Sequence, residues 1–482
     1  MNTNTLKLLA GGCIILTALI VIAVDPWAYR SFNALKQMLF VTGTGLLITG
    51  FVFAVIIRKK KSLVLSVIEL VILIRLIWLI VAHPDPGSYI QTTSFWLLIS
   101  LLVFTMVCRQ LYNYTPGYSR EELQSMFLQM VAGLSFFQAF AGIFQFYMIE
   151  PGDDLKTTVL GTLGAANGYG LLLSIGLLAH LGLLLQAKTR IKRLFLVSSM
   201  FFILSVLFLN GSRGAMLSLA VSLVLFLYIR FQKKACQVWL TKRMFKKWQP
   251  INLKSFKKVF AGSVLVLLLI LSGYLYRVDI ESSQGRWMVW QLSATMLIEH
   301  PLTGIGHGNY ATEYLNYQAR WFQNEKHQPF AYKAANLKQA HNEFLQAFFE
   351  GGTPGGLLFL YLWLYPLFHF WKNRSKLNQT NTTLFAILAA IVCHSLMDSP
   401  LHVLPVTIIA YFILGISPLS VIHFRSDKFI SKFAMSLISV GFFFCHFQIC
   451  DGIPRTMALE KRNGCCRIHF MAKSNRALPA CT

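Results

Sequence analysis

The stretch Arg193-Leu-Phe-Leu-Val-Ser-Ser-Met-Phe-Phe-Ile-Leu-Ser-Val-Leu-Phe-Leu-Asn-Gly-Ser-Arg213 decides the fold. Between its two terminal arginines it holds no charged residue, and at 1.5 Å per residue a helix over 193–209 spans about 26 Å, near the lower limit for crossing a hydrocarbon core about 30 Å thick. Working outward, comparable apolar runs recur at 8–24, 37–57, 62–82, 92–108, 123–148, 167–187, 214–229, 259–276, 354–371, 382–397, 403–419 and 429–449. The first has no small-residue cleavage site before Asp25 and reads as a retained span. With 55% hydrophobic and 13% charged residues, a soluble protein of 482 residues is excluded. The expected fold class is an all-α polytopic membrane protein with about twelve or thirteen transmembrane helices.

The net charge of +25 would fit nucleic acid, but the cations cluster between apolar runs and report topology instead. Arg58–Lys61, Lys188–Arg193 and the interval 230–258 all fall in even-numbered connections, which the positive-inside rule assigns to the cytoplasm. The odd connections then face outward: His83–Gln91, Glu150–Ala166, Asn210–Arg213 and the long segment from Arg277 to Thr353. The chain divides into a bundle over 1–276, a large outward loop over 277–353, further spans over 354–450 and an atypical basic tail over 451–482. The nine cysteines form no CxxC pair and no zinc spacing, so neither a metal site nor a cofactor is expected.

Polar chemistry concentrates in the large loop. An amphipathic helix is predicted from near Arg286 to before Pro301, carried by Trp287, Val289, Trp290, Leu292, Met296 and Leu297. Gly304, Gly306 and Gly308 permit tight turns and close approach of a ligand; no strand precedes them, so a dinucleotide site is disfavoured. His341, Asn342 and Glu343 open a second helical stretch, to Phe349. Taken alone, His341 is either an interfacial hydrogen-bonding residue or a catalyst. Arg213 either snorkels to head groups or faces a polar cavity, and Arg286 reads as a solvated cation. Asn167 reads as a helix cap. Glu69 and Arg75, ionisable within the third run, either pair with each other or face the bundle. His394, Asp398 and His402 flank an outward turn, where they line a cavity or bond between helices.

Four separated elements, Gly211-Ser-Arg-Gly-Ala, Gly285-Arg-Trp, His300-Pro-Leu-Thr-Gly-Ile-Gly-His-Gly-Asn-Tyr and Ala340-His-Asn-Glu-Phe-Leu-Gln with Glu350-Gly-Gly-Thr-Pro-Gly, occur in that order. Together, over about 161–404, they resemble the O-antigen ligase superfamily, which includes O-antigen ligases, O-antigen polymerases and bacterial protein O-oligosaccharyltransferases. The resemblance implies a GT-C-like, metal-independent, inverting enzyme, multi-pass in the bacterial inner membrane, its large periplasmic loop carrying the site. It implies a donor glycan on undecaprenyl diphosphate and an acceptor hydroxyl on lipid A core, on protein or on a growing glycan, with membrane lipids as surroundings and no nucleic acid. Its catalytic positions fall on Arg213, Arg286 and His341. Two guanidiniums suit a departing diphosphate, and a histidine suits deprotonation of the acceptor, though it could instead orient the acceptor or bind the diphosphate. Asn167, Asn342, Glu343 and His307 are the candidate substrate-binding residues, and Gln346 accompanies Glu343. A transporter or flippase is the reading from another class, and a non-catalytic scaffold is the third.

Overall fold

The structure is a computed structural model that describes residues 3–24, 34–57, 62–90, 92–114, 120–148, 159–232, 280–334 and 336–425. Its helices are α1 (Thr3–Ile22), α2 (Ala34–Ile57), α3 (Val67–Ala82), α4 (Pro86–Ile90), α5 (Thr93–Tyr114), α6 (Arg120–Tyr147), α7 (Ala166–Leu184), α8 (Arg190–Asn210), α9 (Arg213–Gln232), α10 (Ile280–Glu299), α11 (Tyr310–Phe322), α12 (Glu343–Lys372), α13 (Gln379–Ser395) and α14 (Leu404–Ile416). Two short strands, β1 (Ser62–Ser66) and β2 (Val421–Arg425), pair antiparallel. Among the described residues, five helices are long and apolar enough to cross a membrane, at Thr93–Asn113, Arg120–Tyr147, Ala166–Leu184, Arg190–Asn210 and Arg213–Arg230. The chain is an all-α polytopic membrane protein. The expected spans 259–276 and 429–449, the tail 451–482 and most of the basic interval 230–258 lie outside the described residues.

Helix α7 is the central post, packed by α6, α8, α9 and α13. Lipid gives apolar helices little reason to associate, so close approach through small residues must hold them. Gly176 accordingly meets Ser135 of α6 and Gly182 meets Thr383 of α13, at separations that leave no room for a side chain. The turn entering α7 is fixed by Thr162, whose hydroxyl donates to Val21 O at 2.6 Å and accepts from Gln138 Nε2 at 2.6 Å.

The third apolar run differs from expectation. It is not one helix over 62–82: Ser62–Ser66 is a strand, and the helix begins at Val67. The reason is a capping box, in which Ile68 N donates to Ser66 Oγ at 3.2 Å and Ser66 N donates to Glu69 Oε2 at 2.6 Å. Glu69 does not pair with Arg75. It takes Arg109 of α5, Nε to Oε1 3.1 Å, both side chains fully buried. The same guanidinium donates to the carbonyls of Leu414 and Ser417, supplying the partners that the end of α14 lacks.

The large loop also departs from the sequence pattern. Helix α10 starts at Ile280, ahead of Arg286, and the stretch after His341 is continuous with the following span as α12, broken in conformation only at Gly352 (φ 64°, ψ −171°). That break frees carbonyls. Glu350 O faces Pro354, which has no N–H, and Thr353 N donates away to Pro301 O at 2.8 Å. The glycine-rich turn replaces these donors: Ile305 N bonds Phe349 O at 2.9 Å and Gly306 N bonds Glu350 O at 3.0 Å, while Trp78 Nε1 takes Gly351 O at 2.8 Å. The close approach anticipated at Gly304 is therefore made by the protein's own α12. A Cβ on Gly304 (φ 69°) would sit 2.5 Å from Gly352 N. Val289, Leu292 and Met296 of α10 close a small core with Ile305, Tyr310, Tyr314 and Phe349, fixing the loop against α12.

Candidate active site

The site gathers around the first turns of α12. Asn342 caps that helix, accepting from Phe344 N and Leu345 N at 3.0 Å each, and its Nδ2 donates to Leu396 O at 2.9 Å. The amide of this candidate substrate ligand is thus engaged in tying α12 to the end of α13. His341 precedes the cap instead of opening the helix, and its φ of 51° lies in the left-handed region that non-glycine residues seldom occupy. Such backbone strain has to be held by its surroundings. What holds it is Asp398: His341 Nδ1 lies 3.0 Å from Asp398 Oδ1. Burial pushes the Asp398 carboxyl up, but the His341 hydrogen bond and the His394 and His341 charges outweigh it, leaving it lowered to about 2. Asp398 is therefore an anion that accepts the Nδ1 proton, leaving Nε2 of His341 as its basic nitrogen.

Behind Asp398 stands His394 at the end of α13, Nε2 to Oδ2 3.9 Å. The glycine after Arg213 makes room for it, since a Cβ on Gly214 would meet the His394 ring at 3.1 Å. Arg213 itself is the first residue of α9, reached through the left-handed C-cap Gly211 (φ 67°) that ends α8. Arg286 is close enough for its charge to act on His394. Both arginines are partly exposed. The geometry thus brings the neighbourhoods of Arg213, Arg286 and His341 together through His394 and Asp398. Asn167 does not cap α7, whose N-cap is Ala165 without a side-chain bond; its Oδ1 accepts from Ser212 Oγ at 3.1 Å, beside Arg213.

A second polar chain runs along the other residues of α12. Glu343 Oε1 accepts from Leu401 N at 2.6 Å and lies 3.3 Å from His402 Nδ1. Burial would lower His402, but the Glu343 carboxylate, with Glu350 and Asp398, raises it to about 9, so it is a cation at neutral pH. Gln346 Nε2 bonds Glu350 Oε1 at 3.0 Å and stands 3.2 Å from His402 Nε2. His307 lies 3.0 Å from Tyr89 OH and 3.7 Å from Glu350 Oε2; burial first, then the Arg75, His402 and His83 charges, lower it to about 3 and keep it neutral. Glu350 and Tyr89 were not singled out by sequence. A glutamate immediately before a Gly-Gly-Thr-Pro break was a readable signal, whereas nothing in the sequence marked Tyr89.

Residues 198–360 match a family model described as O-antigen ligase. That segment is similar to the O-antigen ligase family. The O-antigen ligase match begins within α8 and ends within α12, so it contains Arg213, Arg286, His307 and His341, while Asn167, Asp398 and His402 lie outside it. The match supports a glycan-transfer reading of the O-antigen ligase and polymerase type. A comparison with curated proteins finds no match.

Proposed function

We propose that the protein transfers a glycan from undecaprenyl diphosphate to an acceptor hydroxyl on lipid A core, at the periplasmic face of the bacterial inner membrane. The observation that carries this reading is the His341–Asp398 pair, set beside Arg213 and Arg286 at one end of the bundle. The acceptor O–H gives its proton to His341 Nε2 as its oxygen attacks C1 of the donor sugar. The C1–O bond to the diphosphate breaks, undecaprenyl diphosphate leaves with the bonding pair, and C1 is inverted. Asp398 holds the ring orientation and stabilises the imidazolium as it forms. Arg213 and Arg286, whose planar guanidiniums match phosphate oxygens, stabilise the charge that builds on the leaving diphosphate.

The outward orientation is supported by helix direction. Asn167 lies in the first turn of α7, and the cationic turn Lys188–Arg193 follows the opposite end. A helix of 19 residues separates them by roughly 28 Å, so the site lies on the side away from the cations, which the positive-inside rule assigns to the periplasm. The test is transfer by the purified protein in lipid, from lipid-linked glycan to lipid A core or to a pilin-like protein. His341→Ala and Arg286→Ala should abolish transfer while the fold is kept. Undiminished transfer by His341→Ala would overturn the base, and the acceptor that works names the branch.

A further inference from the structure

Beside the His341 centre is a cavity of about 290 Å³ that the reaction as written does not use. Arg75 of α3 enters it from one side; Glu343, Gln346 and Glu350 of α12, with His402, face it from another. Arg75 is only 7% exposed, its Nε has no hydrogen-bond partner, and its guanidinium rests on the Phe359 ring, 4.8 Å from the centroid. An arginine in an apolar helix, buried and with a donor unmet, marks a functional site unless something completes its bonds. The nearby carboxylates do not complete them, because Glu343 is held by Leu401 N and His402, and Glu350 by Gln346 with His307 at 3.7 Å.

The lining therefore combines a guanidinium whose Nε is unmet with the carboxyl groups of Glu343 and Glu350, and with the rings of Phe359 and Tyr411. A simple anion would satisfy Arg75 but be repelled by Glu343. A hydroxyl-rich ring satisfies both walls, since each hydroxyl accepts from a guanidinium and donates to a carboxylate, and its C–H face packs on an aromatic ring. The volume is at the small end for ligand pockets and suits a single sugar residue.

We infer that this cavity is the acceptor subsite and holds the sugar residue that carries the attacking hydroxyl; the inference rests on the glycan-transfer reading above. Arg213 and Arg286 do not line the cavity. Inversion requires the acceptor to approach C1 from the side opposite the diphosphate those arginines hold; His341 bonds Asp398, beside His394, while Glu343, two residues on, lines the cavity. A saccharide acceptor is thereby favoured over a serine or threonine of a protein.

Two measurements on the full chain in lipid test this. In steady-state transfer with a de-acylated core oligosaccharide as acceptor, Arg75→Gln and Glu350→Gln should each raise the acceptor KM by about tenfold or more, the size expected for losing a charge-assisted hydrogen bond, with the donor KM unchanged. In donor-free titrations, His341→Ala protein should bind the oligosaccharide, and adding Arg75→Gln should weaken that binding by the same factor. An unchanged acceptor KM, a change confined to donor KM, or oligosaccharide binding indifferent to both substitutions would overturn the subsite. The binding arm needs no turnover, so binding that depends on Arg75 without any transfer would count against the reaction and still support the cavity. Glu350→Gln is isosteric and keeps the test standing if Arg75→Gln does not fold.

Discussion

Replacing Asp398 by Asn removes one charge and almost no volume, and so isolates what the carboxylate does for His341. The lowering of Asp398 from 3.8 to about 2 is a net preference for the carboxylate of about 2 kcal/mol, retained after burial has opposed it. A hydrogen bond to a charged group contributes about 1.5–3 kcal/mol. In the proposed transition state His341 is becoming an imidazolium 3.0 Å from Asp398. Losing about 2 kcal/mol there slows the chemical step about 30-fold. The assay is single-turnover glycan transfer by protein in lipid, with donor prebound and acceptor saturating. Asp398→Asn should lower the rate by one to two orders of magnitude with little change in donor affinity, and His341→Ala should lower it further. A wild-type rate in Asp398→Asn would refute the pairing as part of the chemistry. A loss of donor affinity alone would place Asp398 with the diphosphate instead.

Three other outcomes follow from the packing. Gly304→Ala places a Cβ 2.5 Å from Gly352 N at a φ of 69°, and should destabilise the protein by about 3 kcal/mol, read as a lowered midpoint on thermal unfolding in detergent; an unchanged midpoint would mean the glycine turn does not brace α12. Arg109→Leu leaves the buried Glu69 carboxylate without its cation and the last carbonyls of α14 without this donor, and should cost about 3–5 kcal/mol, more than Arg109→Leu adds in a Glu69→Gln background, which a double-mutant cycle measures. His402 is raised from 6.5 to about 9, so its contribution to stability is fully present below pH 6.5 and is lost as pH rises through 9. Thermal stability should fall across that window, and His402→Gln should remove the slope; a slope that persists assigns it to another group.

What sequence could and could not reveal follows from the range of the forces involved. Apolar run length is a local property, and the runs at 92–108, 123–148 and 193–209 do lie on helices, α5, α6 and α8. The interactions that shift a boundary by a turn are specific. Ser66 and Glu69 carried a capping-box spacing inside an apolar run, and hydropathy alone hid it. The partner of Glu69 was legible only as a type: a buried carboxylate needs a cation, and Arg75 was near in sequence, but Arg109 is nearer in space. The glycines at 304, 306 and 308 announced tight turns, and their backbone is left-handed (φ 69°, 92° and 88°), but at Gly304 the close approach is made by α12 where a ligand was expected. At the site, Arg213, Arg286 and His341 stood out through their motifs. Asp398 and His402 could be placed on an outward turn, yet their bonds to His341 and Glu343 span 57 and 59 residues and belong to tertiary structure.

The break at Gly352 links these levels. A straight helix from Glu343 to Lys372 would satisfy its own carbonyls and need nothing from the large loop. Because Gly352 and Pro354 interrupt the ladder, Phe349 and Glu350 must borrow Ile305 N and Gly306 N, and Gly351 borrows Trp78. The loop is thereby locked to the one helix that carries His341, Glu343, Gln346 and Glu350. The same bonds bring His307 beside Glu350 and set α3, with Arg75, against the cavity wall. A perturbation of the glycine turn should therefore reach both the His341 centre and the neighbouring cavity, although no glycine of that turn touches His341. If Gly304→Ala, at a temperature where it stays folded, leaves donor affinity intact but weakens both the transfer rate and acceptor binding, the turn acts through α12 as a rigid unit. If only one of the two changes, the two halves of the site are held independently and the break at Gly352 is a local accommodation.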